Sequence, residues 1–189
     1  LAGVVIFSLR SISGWALAQR LRSWKTSPAA ESVERAARSL CERLGIRRAV
    51  RIVNTAATEV PATLGWLRPV VLLPISAFTV LTPAQIELLI AHELAHVRRH
   101  DYLVNLVQTA VETVLFYHPA VWWVSGRIRA EREHCCDDLA VAACGDVKQY
   151  VRALAALEGM RGSPASLVVA ADGGSLLARI QRLLNLEPR

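Results

Sequence analysis

Leu1 to Leu9 is an apolar run, and the pattern continues through Ile12, Trp15, Ala16 and Leu17 before Arg20, Arg22 and Lys25 arrive. With Trp15 and Trp24 at headgroup level, residues 1–25 read as the tail of a membrane helix or as an interfacial amphipathic helix. They do not read as a signal peptide, because no basic region leads and the basic cluster follows the apolar run. Thr26, Ser27 and Pro28 form a short linker. Val33, Ala36, Ala37, Leu40, Cys41 and Leu44 then recur at i, i+3, i+4, i+7, i+8 and i+11, which is one face of a helix ended by Gly45. Three strands are expected next, over Val50–Val53, Val60–Trp66 and Val70–Leu73, the last two joined around Leu67-Arg68-Pro69. Pro61 cannot donate to an interior ladder, so its strand belongs at a sheet edge. An edge can accept an extended peptide as one more strand, although an edge without that role fits the pattern equally well.

The second half of the chain reads as helical. Thr82 is placed to cap a helix, Pro83 suits the first helical position, Gln85 is spaced as a capping-box partner, and Ile86, Leu89, Ile90 and Val97 supply buried flanks. Tyr102 to Gly126 is largely apolar without Lys or Arg, with Glu112 and His118 as its only carboxylate or imidazole interruptions, and is long enough by hydropathy to span a bilayer. Pro119 disfavours helix at His118 and can open a new helix, so two helices are expected instead, Tyr102–Phe116 and Pro119–Cys144, bent back on each other. Arg98 and Arg99 then share a side with Arg127, Arg129 and Arg132. A helix over Val147–Leu157, a loop over Gly159–Gly174 and a short basic helix over Ser175–Leu186 complete the chain. The expected class is α+β and mostly α, with a small antiparallel sheet. The domain proper covers 30–160 and the loop and basic helix 161–189.

At 189 residues the chain fits one domain with a real core. A first residue that is not Met suggests a piece of a longer polypeptide, and 53% hydrophobic content with a positive mean hydropathy suggests that the parent touches a membrane. The net charge of +6 fits a cytoplasmic membrane-proximal face. Nucleic acid is not an expected partner, since no helix-turn-helix, zinc finger or glycine-rich basic tail accompanies the charge. Cys41, Cys135, Cys136 and Cys144 are too unevenly spaced for a disulfide framework and read as reduced thiols.

The candidate chemistry centres on His92-Glu93-Leu94-Ala95-His96. Residues four apart share a helix face, so the two imidazoles can converge on one Zn2+ ion while Glu93 stays near its open side. Zinc held by three protein ligands acidifies a water toward a pKa of about 7, and Glu93 would take the proton. The third ligand must come from elsewhere. The extended metzincin pattern fails, because Arg99 and Tyr102 stand where Gly and His are required. His100 fails as well, lying about 12 Å along the helix from His92. Candidates remain in Glu131-Arg132-Glu133-His134-Cys135-Cys136-Asp137-Asp138. Glu133 and Asp137 share one face, so one carboxylate can bind zinc while the other reaches the outer nitrogen of a ligating His. Glu131, His134 and Asp138 share a competing face that spacing does not eliminate, and a structural site using Cys135 and Cys136 is a third option. Because a single crossing of about 30 Å would separate His96 from any later ligand, the apolar block must return to the side it left.

His92-Glu93-Leu94-Ala95-His96, the trailing Arg99 and Asp101, the Phe116-Tyr117-His118-Pro119-Ala120-Val121-Trp122-Trp123 block and Glu133-His134-Cys135-Cys136-Asp137 together closely resemble the beta-lactam-sensor family of membrane zinc metallopeptidases, of gluzincin type. Pro61-Ala62-Thr63-Leu64-Gly65 and Arg68-Pro69-Val70-Val71-Leu72-Leu73-Pro74 match its edge-strand region, and the resemblance covers about Leu40 to Tyr150. It implies a zincin-like domain in which Glu133 is the third ligand, Asp137 a supporting carboxylate and Asp101 a further supporting residue. It also implies regulatory or signal-transducing proteolysis at a bacterial-type cytoplasmic membrane, on a protein or peptide substrate such as a cytoplasmic repressor, with the domain facing the cytoplasm and membrane lipid as its surroundings. Family members that sense antibiotics carry a penicillin-binding domain, which this sequence does not reach, so antibiotic sensing is not carried over. The alternative is a signalling scaffold that transmits a membrane signal with little turnover. Tyr117, His118, Arg132 and His134 are open candidates for oxyanion stabilisation, and neither oligomeric state nor substrate identity follows from the residues.

Overall fold

The computed structural model describes residues 26–160 and 173–185 together with Ala16. The expected membrane or interfacial helix over 1–25 and most of the loop after Gly159 lie outside the described residues. Helix α1 (Glu31–Arg43) carries Glu31 and Glu34 in its first turn and Arg43 in its last, matching the helix dipole at both ends. It stops at Gly45, whose φ of 69° gives the left-handed turn that a side chain resists.

Four strands follow the order β1-β2-β4-β3, with β1 at Thr26–Pro28, β2 at Arg51–Thr55, β3 at Ala62–Leu64 and β4 at Val70–Pro74. The sheet is mixed, which corrects the expected antiparallel one. β2 runs parallel to β4, with Ile52 opposite Val71, while β1 and β3 are antiparallel to their neighbours. The chain folds β3 back as a hairpin onto the far side of β4, so after two reversals β4 points along β2 and takes the place beside it. Strand propensity carries no signal for that choice of neighbour. Thr26–Pro28, expected as a linker, is an edge strand, a position where Pro28 costs no interior hydrogen bond. The second edge is β3, as Pro61 implied, although it is shorter than Val60–Trp66 and Pro61 and Gly65 flank it rather than pair.

β4 is buried along its whole length, which explains its unbroken Val70-Val71-Leu72-Leu73 run. Val71 and Leu73 join the main core with Leu40, Leu89, Ile90, Leu94, Tyr150 and Leu183, whereas Val70 and Leu72 pack with Val53 and Leu64 on the other face. One turn of helix, α2 (Ala77–Val80), precedes α3 (Pro83–Arg99). Thr82 caps α3 by the expected capping box: its Oγ1 accepts from Gln85 N at 3.3 Å, and its own N donates to Gln85 Oε1 at 2.9 Å. Residues 88–95 of α3 are all buried, so this helix is the centre of the domain and not a surface element.

The apolar block is a helical pair, as Pro119 implied. α4 (Asp101–Val114) and α5 (Pro119–Cys144) are joined through His118, whose Nδ1 accepts from Ala120 N at 3.2 Å. Among the described residues no helix is long and apolar enough to cross a membrane. α6 (Val147–Met160) runs three residues beyond the expected end, and α7 (Gly173–Asn185) returns to the core through Leu183.

Candidate metal centre

α3 presents His92 and His96 one turn apart, with ring centroids separated by 4.8 Å and the rings nearly perpendicular. α5 crosses it and brings Glu133 to the Nε2 edge of both rings, Oε2 lying 3.4 Å from His92 Nε2 and Oε1 4.0 Å from His96 Nε2. Behind each ring stands a carboxylate. His92 Nδ1 is 3.2 Å from Asp137 Oδ1 and 2.7 Å from Tyr150 Oη, while His96 Nδ1 is 2.8 Å from Asp101 Oδ2. These contacts orient both imidazoles with Nε2 forward, as carboxylate partners do for metal-binding histidines. Glu93 faces the same space, since the nearest ligating atoms of His92, Glu93 and His96 lie within 4.8 Å of one another. Its Oε2 accepts from Thr63 Oγ1 at 2.7 Å, so β3 supports the would-be base from the side.

The charge balance follows from this geometry. Burial opposes a charged His92, but hydrogen bonds to Asp137 and Glu133, with Glu93 nearby, lift its pKa to about 9. For Glu133, burial is overcome by the His92 hydrogen bond and the nearby His96 and Arg179, which bring it down to about 2. Asp137 is likewise held well below the usual carboxylate range against its burial, chiefly by Arg179 and then His92. Asp101 is lowered, its burial outweighed by His96. The site brings two imidazoles and one carboxylate together, a donor set that zinc accepts.

A second cluster close enough to hold a metal, His96, Asp101 and Cys136, lies on the Nδ1 side of His96, where Asp101 Oδ2 is already 2.8 Å away. Burial first, and then Asp101, push the Cys136 thiol far up, so it stays protonated and donates to Asp101 Oδ2 at 3.4 Å. It closes a hydrogen-bond network behind His96, and all four cysteines are free.

The other residues weighed for the site are drawn elsewhere. Glu131 pairs with Arg127 at 3.5 Å, Asp138 binds Arg182, and His134 Nδ1 is 3.8 Å from Glu131. His100 ends α3 in the left-handed region and meets Arg48. His118 is a helix cap, Tyr117 is exposed at the hairpin tip, and Arg132 lines a separate pocket with Arg99, Arg127 and Trp123. Two residues escaped the sequence reading. Tyr150 reads as one more apolar position of α6, yet its hydroxyl donates to Asp137 at 2.6 Å. Arg179 reads as one charge of a basic helix, yet its Nε and Nη2 reach Asp137 at 2.8 and 2.6 Å. The only sequence signal was the pairing in number and sign of Arg179 and Arg182 with the adjacent Asp137 and Asp138.

A buried His-Glu-x-x-His helix beside an edge strand, faced by a carboxylate from a second helix, is the arrangement expected of a metallopeptidase domain. The chain belongs to the BlaR1 peptidase M56 family, whose model matches residues 1–183. It is similar to the regulatory protein BlaR1 of Bacillus licheniformis, 26% identical over 144 residues that make up 75% of this chain and 24% of that protein. Methicillin resistance mecR1 proteins of Staphylococcus aureus and Staphylococcus epidermidis are each 23% identical over 91 residues, 48% of this chain and 16% of theirs. The chain thus spans about a quarter or less of the length of these relatives.

Proposed function

We propose that the chain is the peptidase domain of a membrane-associated zinc metalloendopeptidase acting in regulatory proteolysis, with His92, His96 and Glu133 as the metal ligands. The observation that carries this reading is Glu133 lying against the Nε2 atoms of both histidines, with Asp137 and Asp101 behind the rings. When bound, zinc would polarise the scissile carbonyl and lower the pKa of a water. Glu93 accepts the proton from the attacking water and delivers it to the leaving amine, held for that task by Thr63. β3 offers the substrate an edge from Pro61 to Gly65, where an extended peptide adds as a strand. The substrate class is a protein or peptide, with a cytoplasmic repressor as the candidate that the family resemblance implies.

Membrane association is supported by the α4–α5 hairpin. Its open groove of about 680 Å³ is lined almost wholly by apolar side chains, and Val107, Val114 and Trp123 are each more than 60% exposed. Such a surface suits the interfacial region of a cytoplasmic-type bilayer, with the arginines at its base toward the headgroups.

The test is zinc content and proteolysis of the intact protein beside its Glu93→Gln variant. The expected result is about one zinc per chain in both, with turnover reduced by about 10²–10⁴ in the variant. Undiminished proteolysis by the variant, or no zinc on the parent, defeats the reading. Full signalling by a proteolytically silent Glu93→Gln protein would favour the scaffold.

A further inference from the structure

Arg179 stands where a cation was not expected. It comes from α7, remote in sequence, and yet its side chain is only 13% exposed and spans both carboxylates of the Glu133/Asp137 pair. Nε and Nη2 form a fork on Asp137 Oδ2 and Oδ1, at 2.8 and 2.6 Å, while Nη1 lies 3.5 Å from Glu133 Oε2. We propose that Arg179 is a positioning residue of the metal centre, fixing Glu133 and Asp137 relative to His92, so that the ligand set is preformed only when α7 is seated. The proposal rests on the zinc reading above and extends it from the ligands to the helix that holds them.

Three physical points support it. Glu93, Glu133 and Asp137 bring three carboxylates close to His92, and without a compensating cation the buried carboxylates would repel one another and resist desolvation. Arg179 supplies that charge, with Nε and Nη2 on Asp137 and Nη1 3.5 Å from Glu133 Oε2. The contact also requires the planar fork: a lysine ammonium has one charged centre and cannot make parallel bonds to both Asp137 oxygens while also approaching Glu133. Finally, the fork holds Asp137 Oδ1 at the point where it also accepts from Tyr150 Oη, the hydroxyl 2.7 Å from His92 Nδ1, so Arg179 acts on His92 through Asp137 and Tyr150.

Seating does not depend on Arg179 alone. One turn further along α7, Arg182 binds Asp138 and the carbonyl oxygen of His134, and Leu183 enters the core. Arg182 touches no residue of the proposed ligand set. The two arginines therefore separate a docking contact from a site contact on the same helix.

The experiment uses the intact protein and compares it with Arg179→Lys, Arg179→Gln and Arg182→Ala. Zinc affinity is measured by competition with a chromophoric chelator, and ligand geometry by the visible absorption of the Co2+-substituted protein. Weakening of zinc binding by about 10–100-fold is expected for both Arg179 variants, the scale of losing a partner behind a ligand. Their cobalt spectra should also change, while Arg182→Ala keeps the parent spectrum. Circular dichroism of the metal-free proteins serves as the folding control, and the lysine variant keeps the test open if the neutral one does not fold. Parent-like zinc affinity and cobalt spectrum in folded Arg179→Lys overturn the proposal and leave the zinc reading standing. Absence of zinc binding by the parent overturns both.

Discussion

Raising the pH of chelator-treated protein gives the sharpest test of the charge arrangement. In the metal-free protein His92 has a pKa of about 9 against 6.5 for an ordinary histidine, because contacts to Asp137 and Glu133 outweigh its burial. A pKa raised on folding means that the folded state holds the proton more tightly. The resulting stabilisation is complete below pH 6.5 and is lost as pH rises toward 9. A difference of roughly 2.5 units at about 1.4 kcal/mol each gives on the order of 3 kcal/mol, a large fraction of the stability of a typical domain. The lowered pKa of Glu133 expresses the same contact from the acid side: it stabilises above pH 4.5 and is lost as pH falls toward about 2. The two are one interaction and are counted once. Urea unfolding of chelator-treated protein at half-unit steps from pH 5.5 to 9 should show a plateau followed by a decline above 6.5. With saturating zinc the decline should shrink or reverse, because the metal needs neutral imidazole and competes better as protons leave. A metal-free stability that stays flat or rises from pH 6.5 to 9 refutes the assignment of His92 as the proton-holding centre of the site.

Two substitutions probe the supports of that centre. Tyr150→Phe keeps the buried ring but removes the hydroxyl between Asp137 and His92, and should cost about 1–3 kcal/mol in urea unfolding through the unsatisfied groups left behind; an unchanged midpoint and slope would show that the hydroxyl carries no structural weight. Thr63→Val keeps the branched shape of the edge strand but deprives Glu93 of its 2.7 Å hydrogen bond, and kcat on a peptide substrate should fall about tenfold at constant zinc content. Unaltered kcat would remove Thr63 from the account of Glu93.

The parts of this structure that the sequence made legible are those governed by local rules. Thr82, Pro83 and Gln85 announce the start of α3, Gly45 the end of α1, and Pro119 the break between α4 and α5, because caps and prolines act over a single turn. The four-residue spacing put Glu133 and Asp137 on one helix face but left Glu131, His134 and Asp138 open, and the family resemblance singled out the pair that meets the histidines. What escaped is long-range. Placing β4 beside β2 required knowing which strand would occupy the far edge, and strand propensity contains nothing about neighbours. Arg179 and Tyr150 reach Asp137 and His92 from separate helices, and neither has a flanking pattern that distinguishes it from an ordinary surface charge or core aromatic.

The corner between α3 and α4 sets unequal tolerances to change in chain length. α3 ends at Arg99 and is joined to α4 by one left-handed residue, His100, with a φ of 59°, so Asp101, the partner of His96, is already the first residue of α4. Inserting or deleting one residue there would swing Asp101 about 100° around the helix axis and away from His96. Beyond Asp101 the route to Glu133 runs out along α4 and back along α5, and its ends are fixed while its tip is exposed. Matched additions of whole turns to both arms would lengthen the hairpin without displacing Glu133. Homologous chains should accordingly preserve the spacing from His92 to Asp101 and vary, if anywhere within the site, in the distance from Asp101 to Glu133.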